Sequence, residues 1–416
     1  MNARNATRTY FPPIAARLPG LGLLGIRDFR LLWMVTGLSF TGIQMRMMAL
    51  SWLVLEITDS TMWVGIVNGI AAVPVLLLSL YAGALGDRVD KRLLIAKATG
   101  ALALMALVVG ILANTGAITL WHVIVISLLS ATAAAFFQPA TQALLYDIVG
   151  PDRLFRAVSL NSSAMNLGGM IGPAAGGILI AMFGIGASFY LIAVMFLGAM
   201  VGILAIRSGG NVPVKAATPI LKDAAEALAY VRRTPHVAWL LLLSTATLFA
   251  AVYFPLVPVY ARDVFGGGAR EFGFLMGAQG AGFLIGSLAT TAIGDMPHKG
   301  KMLLLVAVAW STGMIVFAFS TSFPLTLASV FTMGFVAMFW VNTLRTLMQT
   351  AVPDEMRGRV MGLYMMTLQA VPLGWLVGGT LATLFGNEAA LVIGALVFTS
   401  IVALAFIRSP ELRRLA

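Results

Sequence analysis

Apolar blocks long enough to cross a bilayer, about 20 residues each, alternate along the chain with short clusters of Gly, Pro, Asp, Lys and Arg. The pattern predicts membrane-spanning helices at 31–55, 62–85, 93–113, 120–147, 157–182, 188–206, 236–261, 271–293, 302–319, 325–350, 359–384 and 389–407. One polar stretch, 207–235, is longer than the other breaks. It divides the chain into a tail (1–30), a first six-helix unit (31–206), a linker (207–235), a second six-helix unit (236–407) and a short tail (408–416). Within the linker Pro219 can open a helix. Leu221, Ala224, Ala225, Leu228 and Val231 then share one face, which suits a short helix on the membrane surface tethering two bodies that move.

The two units are copies. Offset by 202, the chain matches itself at nine of 34 ungapped positions, Pro151 on Pro353 through Gly184 on Gly386. Offset by 208, Gly65, Gly69, Gly86 and Asp87 meet Gly273, Gly277, Gly294 and Asp295. Both matches keep the order and side of the helices. Parallel six-helix repeats of this kind mark a transporter whose site lies between the halves.

Composition removes whole classes of function. Of 416 residues 60% are hydrophobic and 10% charged, against about 25% charged in a soluble chain. Too few polar side chains exist to cover a water-facing surface. There is no cysteine, which excludes disulfides and thiolate chemistry, and the three histidines lie far apart. The net charge of +11 would suggest nucleic acid in a soluble protein. Here, with the amino terminus placed in the cytoplasm, 23 of 27 basic residues fall on the cytoplasmic side and only Arg262 and Arg270 on the other. That is the positive-inside pattern of a multi-pass inner-membrane protein with both termini cytoplasmic. The stretch 1–26 lacks the apolar core of a cleavable signal, so the first long helix reads as uncleaved. No nucleotide loop is present: Gly294 to Lys301 fails the required spacing, so ATP is not expected as the energy source.

Two motifs narrow the reading. After the second predicted span stands Gly83-Ala84-Leu85-Gly86-Asp87-Arg88-Val89-Asp90-Lys91-Arg92, with a weaker copy, Gly294-Asp295 followed by Lys299 and Lys301, in the second half. Glycines let the chain turn at the membrane edge, and the charges can bridge neighbouring helix ends. The fifth span carries Gly168-Gly169-Met170-Ile171-Gly172-Pro173-Ala174-Ala175-Gly176-Gly177. Small residues four apart let helices approach closely, and the proline is expected to kink the helix. The second copy keeps Gly374, Gly378 and Gly379 but has Trp375 at the proline's position.

The first motif resembles the loop signature of the major facilitator superfamily, with Asp90 where glycine is usual; the second is similar to its antiporter motif. The stretches Arg27 to Trp33, Ala49 to Thr58 and Phe137 to Leu145 resemble the branch that holds the enterobactin exporter and macrolide and multidrug efflux proteins, with Thr141 where that branch often has arginine. The resemblance covers essentially the whole chain. It implies an all-α membrane protein with 12 transmembrane helices in two pseudo-symmetric six-helix bundles, acting as a monomer without a cofactor. It implies a conformational latch at Gly83, Gly86, Asp87, Arg88, Arg92 and Asp295. An antiporter motif intact only in the first half (Gly168, Gly172, Pro173, Gly176, Gly177) implies export, driven by protons.

By the same resemblance the first, fourth, seventh and tenth helices line the path. Their candidate substrate contacts are Phe40, Gln44, Arg46 and Met48; Phe137, Gln138 and Gln142; Phe249 and Tyr253; and Phe335, Met338, Asn342 and Arg345. Aromatic rings and thioethers accept many apolar shapes, and a few amides orient polar groups. Arg46 lies 16 residues beyond Arg30, about 24 Å along a helix, and cannot easily reach either surface. A charge at that depth faces a water-filled path or a partner. Arginines at the cavity favour anionic or neutral amphipathic substrates; the plainer alternative pairs Arg345 with Asp147. Proton coupling needs a titrating group, and only Glu56 and Asp147, both near helix ends, offer one. The expected function is a secondary exporter of amphipathic small molecules, in contact with membrane lipid. The competing readings are a narrow siderophore exporter, a lipid flippase and, from another class, a transporter-like receptor or scaffold. An enzyme would need a convergent nucleophile, base or metal cluster, which the chain lacks.

Overall fold

The computed structural model describes residues 21–78, 89–207, 220–294 and 298–409. Among them are twelve helices long and apolar enough to cross a membrane: Arg27–Thr58, Thr61–Leu78, Lys91–Asn114, Leu120–Val149, Pro151–Phe183, Ile185–Leu204, Pro235–Val264, Ala269–Ile293, Lys299–Phe319, Phe323–Ala351, Asp354–Phe385 and Asn387–Arg408. They are called the first to twelfth spans. Most run a few residues past the predicted apolar blocks, because helices continue through the headgroup zone where Arg27, Lys91 and Asp354 can keep their charges in water. Of the predicted latch, Gly83, Gly86, Asp87, Arg88 and Asp295 lie outside the described residues.

The repeated glycines hold the two bundles together. Span five packs on span one through Gly168, Gly172 and Gly176: a β-carbon at Gly172 would lie 2.5 Å from the carbonyl oxygen of Thr41, and one at Gly176 2.9 Å from Cγ of Met45. Its other face meets span eight, where a β-carbon at Gly273 would stand 2.7 Å from the carbonyl of Pro173 and 2.8 Å from Cα of Gly177. The second half repeats both contacts. Gly374 and Gly378 of span eleven press on the carbonyls of Leu248 and Val252 in span seven, and Gly379 faces span two, where a β-carbon at Gly65 would lie 2.6 Å from the carbonyl of Trp375. Of the glycines that match at offsets of 202 and 208, Gly184, Gly294 and Gly386 at helix ends face open space, whereas those within the helices thus stand where helices touch. Any side chain there would separate the helices.

The two ends of the bundle differ. At the end away from Arg27 and Arg408 the halves bond to each other: Arg262 in the last turn of span seven reaches Asp59 just after span one at 2.5 Å, and Trp52 stacks on Phe272 with centroids 6.3 Å apart. At the end carrying Arg27 and Arg408, the basic end, named bonds join helices of one half. Lys91 pairs with Asp147 at 2.6 Å, Arg92 donates to the carbonyl of Ile206 at 3.0 Å, and the amide of Arg207 donates to Asp28 at 3.2 Å. Asp147 is therefore spent on Lys91, which rules out the pairing with Arg345 entertained from sequence. Asp90 caps span three, accepting from the amide of Arg92 at 2.8 Å. The Arg92 side chain holds its carboxyl below the usual carboxylate range.

Span five is helical through Pro173, over Leu154–Phe183. The linker forms a helix, Ile220–Arg233. Ala227 and Val231, one turn apart, are buried against the starts of the seventh and eleventh spans, while Ala225 and Leu228 point outward. Small Ala227 permits the close approach, and a Glu226–Arg359 ion pair at 2.8 Å fixes the helix to span eleven.

Candidate transport cavity

Span seven shapes the site because it is not a uniform helix. An α-helix over Pro235–Ala250 tightens into a 3-10 segment, Ala251–Leu256, and ends in a π-type turn, Tyr260–Val264. Pro255 and Pro258 lack the amide hydrogens that would bond to the carbonyls of Ala251 and Phe254. The irregular backbone stays inside protein, as it must at membrane depth. It presents Tyr253 and Phe254 inward. Phe254 stacks on Trp375 at 4.3 Å, and Tyr253 meets Trp310 edge-on at 5.9 Å. The Gln279 amide donates to the Tyr253 hydroxyl, which satisfies both polar groups in an otherwise apolar place.

These residues wall a cavity of about 280 Å³ at mid-membrane depth. Methionines (Met47, Met276, Met338) and aromatics (Tyr253, Phe254, Phe283, Trp310, Trp340, Trp375, Phe398) dominate its lining, and Gln44, Thr247, Tyr253 and Gln279 supply the polar atoms. Among the described lining residues, Gln44 and Met47 alone come from the first half, and none is a carboxylate or a cation.

Of the sequence candidates, Gln44, Tyr253 and Met338 line this cavity. Phe335 packs beside Phe339 at 5.2 Å, its carbonyl against Gly286; Phe249 and Phe40 are half-buried, their backbones against Gly394 and Gly168. Met48 and Phe137 are core residues, 0% and 5% exposed. The helical period explains Met48: Met47 takes the cavity face, and the next residue turns by about 100° toward span five. Phe137 faces inward with Thr141 and Leu144, leaving Gln138, Gln142 and Tyr146 as an exposed stripe. Arg46 lies well round the helix from Gln44 and Met47; its Nε is buried with no hydrogen-bond partner among the described residues. Asn342 and Arg345 border a second pocket, toward the basic end. Of the proposed proton carriers, Glu56 accepts from Trp52 at 2.5 Å at the far end and Asp147 is held by Lys91, so neither touches the cavity.

Sequence reasoning missed the contributions of spans eight, nine, eleven and twelve. Two signals were available: Gln279 is a lone amide among the glycines of span eight, and Trp375 stands where the first copy has proline.

Two six-helix bundles joined by glycine seams around a central apolar cavity define a membrane transporter rather than an enzyme. The chain belongs to the transmembrane secretion effector family of the major facilitator superfamily, whose family description matches residues 20–415. It is 26% identical over 359 residues to the staphyloferrin A transporter of Staphylococcus aureus, covering 84% of this chain and 88% of that one. It is 28% identical over 362 residues to the multidrug efflux pump Tap of Mycolicibacterium fortuitum, covering 82% and 86%. Among solved structures, a bacterial homologue of the human lysosomal transporter Spinster, in its inward-facing and unoccupied conformation, superposes with a TM-score of 0.74 at 14% identity, covering 91% of this chain and 96% of that one. Relatives of this kind carry small molecules across membranes.

Proposed function

We propose that the protein exports amphipathic small molecules, neutral or anionic, from the cytoplasm across a bacterial inner membrane by alternating access. The observation that carries this reading is the cavity of about 280 Å³, walled by methionine and aromatic side chains mostly of the second half, with Gln44 and Met47 of the first, and with no carboxylate among its described lining residues. Thioethers and rings repack around varied apolar shapes, and Gln44 and Thr247 can orient a polar group. A lipophilic cation would find no counter-charge there. The siderophore and multidrug names of the relatives support a small-molecule cargo and outward direction.

The basic end is the cytoplasmic one by the positive-inside argument. Glycine seams and the Asp59–Arg262 pair close the external end. Exposed polar stripes on spans four (Gln138, Gln142) and ten (Arg345, Thr346, Gln349) suit water rather than hydrocarbon, which supports a cleft open to the cytoplasm. Export then requires the seams to part and the cytoplasmic ends to close. The intact Gly172-Pro173 motif and the latch segment around Asp87 are the elements assigned to that change.

The test is uptake into inside-out proteoliposomes of an anionic siderophore and of a cationic dye, with and without a proton gradient. Accumulation of the anion in preference to the dye is expected. Preferential accumulation of the dye would overturn the substrate class, and a requirement for the gradient would direct attention to Glu56 and Asp147.

A further inference from the structure

A second pocket of about 290 Å³ lies toward the basic end, lined by residues of spans eight, nine and ten. Thr290, Lys299, Asn342, Arg345, Thr346 and Gln349 border it, with no carboxylate among the described lining residues. Most of its neutral groups are already engaged. The Asn342 amide donates to Thr290 Oγ1 at 2.8 Å, Thr290 donates to the carbonyl of Ser287 at 2.9 Å, and Thr346 donates to the carbonyl of Asn342 at 2.9 Å. Arg345 differs. It sits inside a membrane span, is exposed to the pocket, and has neither an ion pair nor a hydrogen bond among the described residues. Lys299 opens span nine, so the positive end of a 21-residue helix adds to its charge.

We propose that this pocket is an anion-binding loading subsite. It takes the carboxylate or phosphate headgroup of an amphipathic molecule at the cytoplasmic mouth, while the apolar body moves on to the central cavity. The planar donor fork of Arg345 suits two-oxygen recognition of such groups, and Lys299 adds a point charge. Among the described residues the central cavity is lined by no cation, whereas this pocket is lined by Arg345 and Lys299. Arg345 lies seven residues beyond Met338 on span ten, about 10 Å along the helix, within the length of one amphiphile. The inference deepens the export reading and rests on it. The same chemistry belongs to an exported acid and to an anionic phospholipid of the inner leaflet, which the experiment separates.

The full-length transporter is placed in phosphatidylcholine nanodiscs and titrated with dansylated undecanoic acid and with its methyl ester. The native protein is expected to bind the acid at least about tenfold more tightly than the ester, which corresponds to roughly 1.4 kcal/mol. In the Lys299→Gln/Arg345→Gln double variant the ratio should fall below about threefold. Arg345→Lys, which keeps the charge, should retain an intermediate preference and guards against loss through misfolding. An unchanged preference in the double variant would overturn the proposal. Adding phosphatidylglycerol to the discs identifies the source: competition with the acid in the native protein but not in the variant assigns the pocket to lipid headgroups, and absence of competition assigns it to the solute. Failure of the export reading is distinct, appearing as retained acid preference with no movement of either probe into inside-out vesicles.

Discussion

The fifth and eleventh spans are copies of one segment, yet they use it differently. Both lay one row of glycines against a helix of their own half and turn another toward the opposite half. Span five continues as one helix through Pro173, whereas span eleven breaks between Asp354–Gln369 and Val371–Phe385, just ahead of Pro372. The difference lies in where each proline's lost amide falls. Pro173 deprives the carbonyl of Gly169 of its helical donor, and that carbonyl is the atom against which Gly280 of span eight packs. The seam thus covers the gap. At Pro372 the chain tightens instead, Leu373 donating to the carbonyl of Ala370 at 2.8 Å. With proline displaced, Trp375 occupies the seam position, stacks on Phe254 and walls the cavity. One copy serves packing alone; the other also lines the cavity. This is why the cavity belongs so largely to the second half.

The sharpest way to break the comparison is to overpack the seams. Gly273→Val would drive a side chain into the carbonyl of Pro173, and Gly65→Val into that of Trp375; backbone cannot give way as a side chain can. Each should cost the externally closed state about 1–3 kcal/mol, a shift of roughly 5- to 150-fold toward external opening. Because the chain has no native cysteine, spin labels on cysteines introduced in the loops after spans one and seven can read the separation directly. Equal shifts would confirm that the seams are equivalent, and a shift from only one would show that a single seam governs closure.

Next in size is the divergent position itself. Trp375→Ala removes a ring from the cavity wall and should raise KM for an apolar substrate about tenfold, the loss of roughly 1–2 kcal/mol of aromatic contact. Pro173→Ala should alter KM less than about threefold, since it touches packing and not cargo. Vesicle transport of one neutral amphiphile by both variants checks the contrast. Smaller again is Asp59→Asn. The Asp59 side chain is 80% exposed, so losing its pair with Arg262 should favour external opening by no more than about 1 kcal/mol, read by the same labels.

The smallest effect is expected at Asp90, the first-half residue that replaces a usual glycine. Asp90→Ala removes the cap of span three and should cost about 0.5–1 kcal/mol in thermal melts. Its carboxyl titrates below the ordinary range because Arg92 bonds to it. The contribution is therefore complete above about pH 4 and fades as the pH falls through the depressed value. Native and variant proteins should converge only in acid.

Much of this was legible from residue order. Apolar block length located the spans to within a few residues, and the repeat offsets picked out the glycines that later proved to touch. The cavity was less legible. A rule that assigns the lining to spans one, four, seven and ten passes over Gln279, Trp310 and Trp375, because which face of a helix turns inward depends on its neighbours. Met47 against Met48 is the smallest instance: adjacent, chemically identical, and separated only by the turn of the helix. Asn342 and Arg345 share a stripe with Met338 yet border another pocket, about one to two turns nearer the basic end.

The amino-acid sequence by itself determined that the chain is a duplicated bundle of membrane helices, since hydrophobic length and glycine spacing are local quantities that a bilayer reads without reference to the fold. Tertiary structure alone decided which glycines face a partner half, which carbonyl Pro173 leaves to Gly280, and which side chains enclose the cavity. Those depend on the rotation of each helix about its axis, and that rotation is set by close packing among helices far apart in the chain.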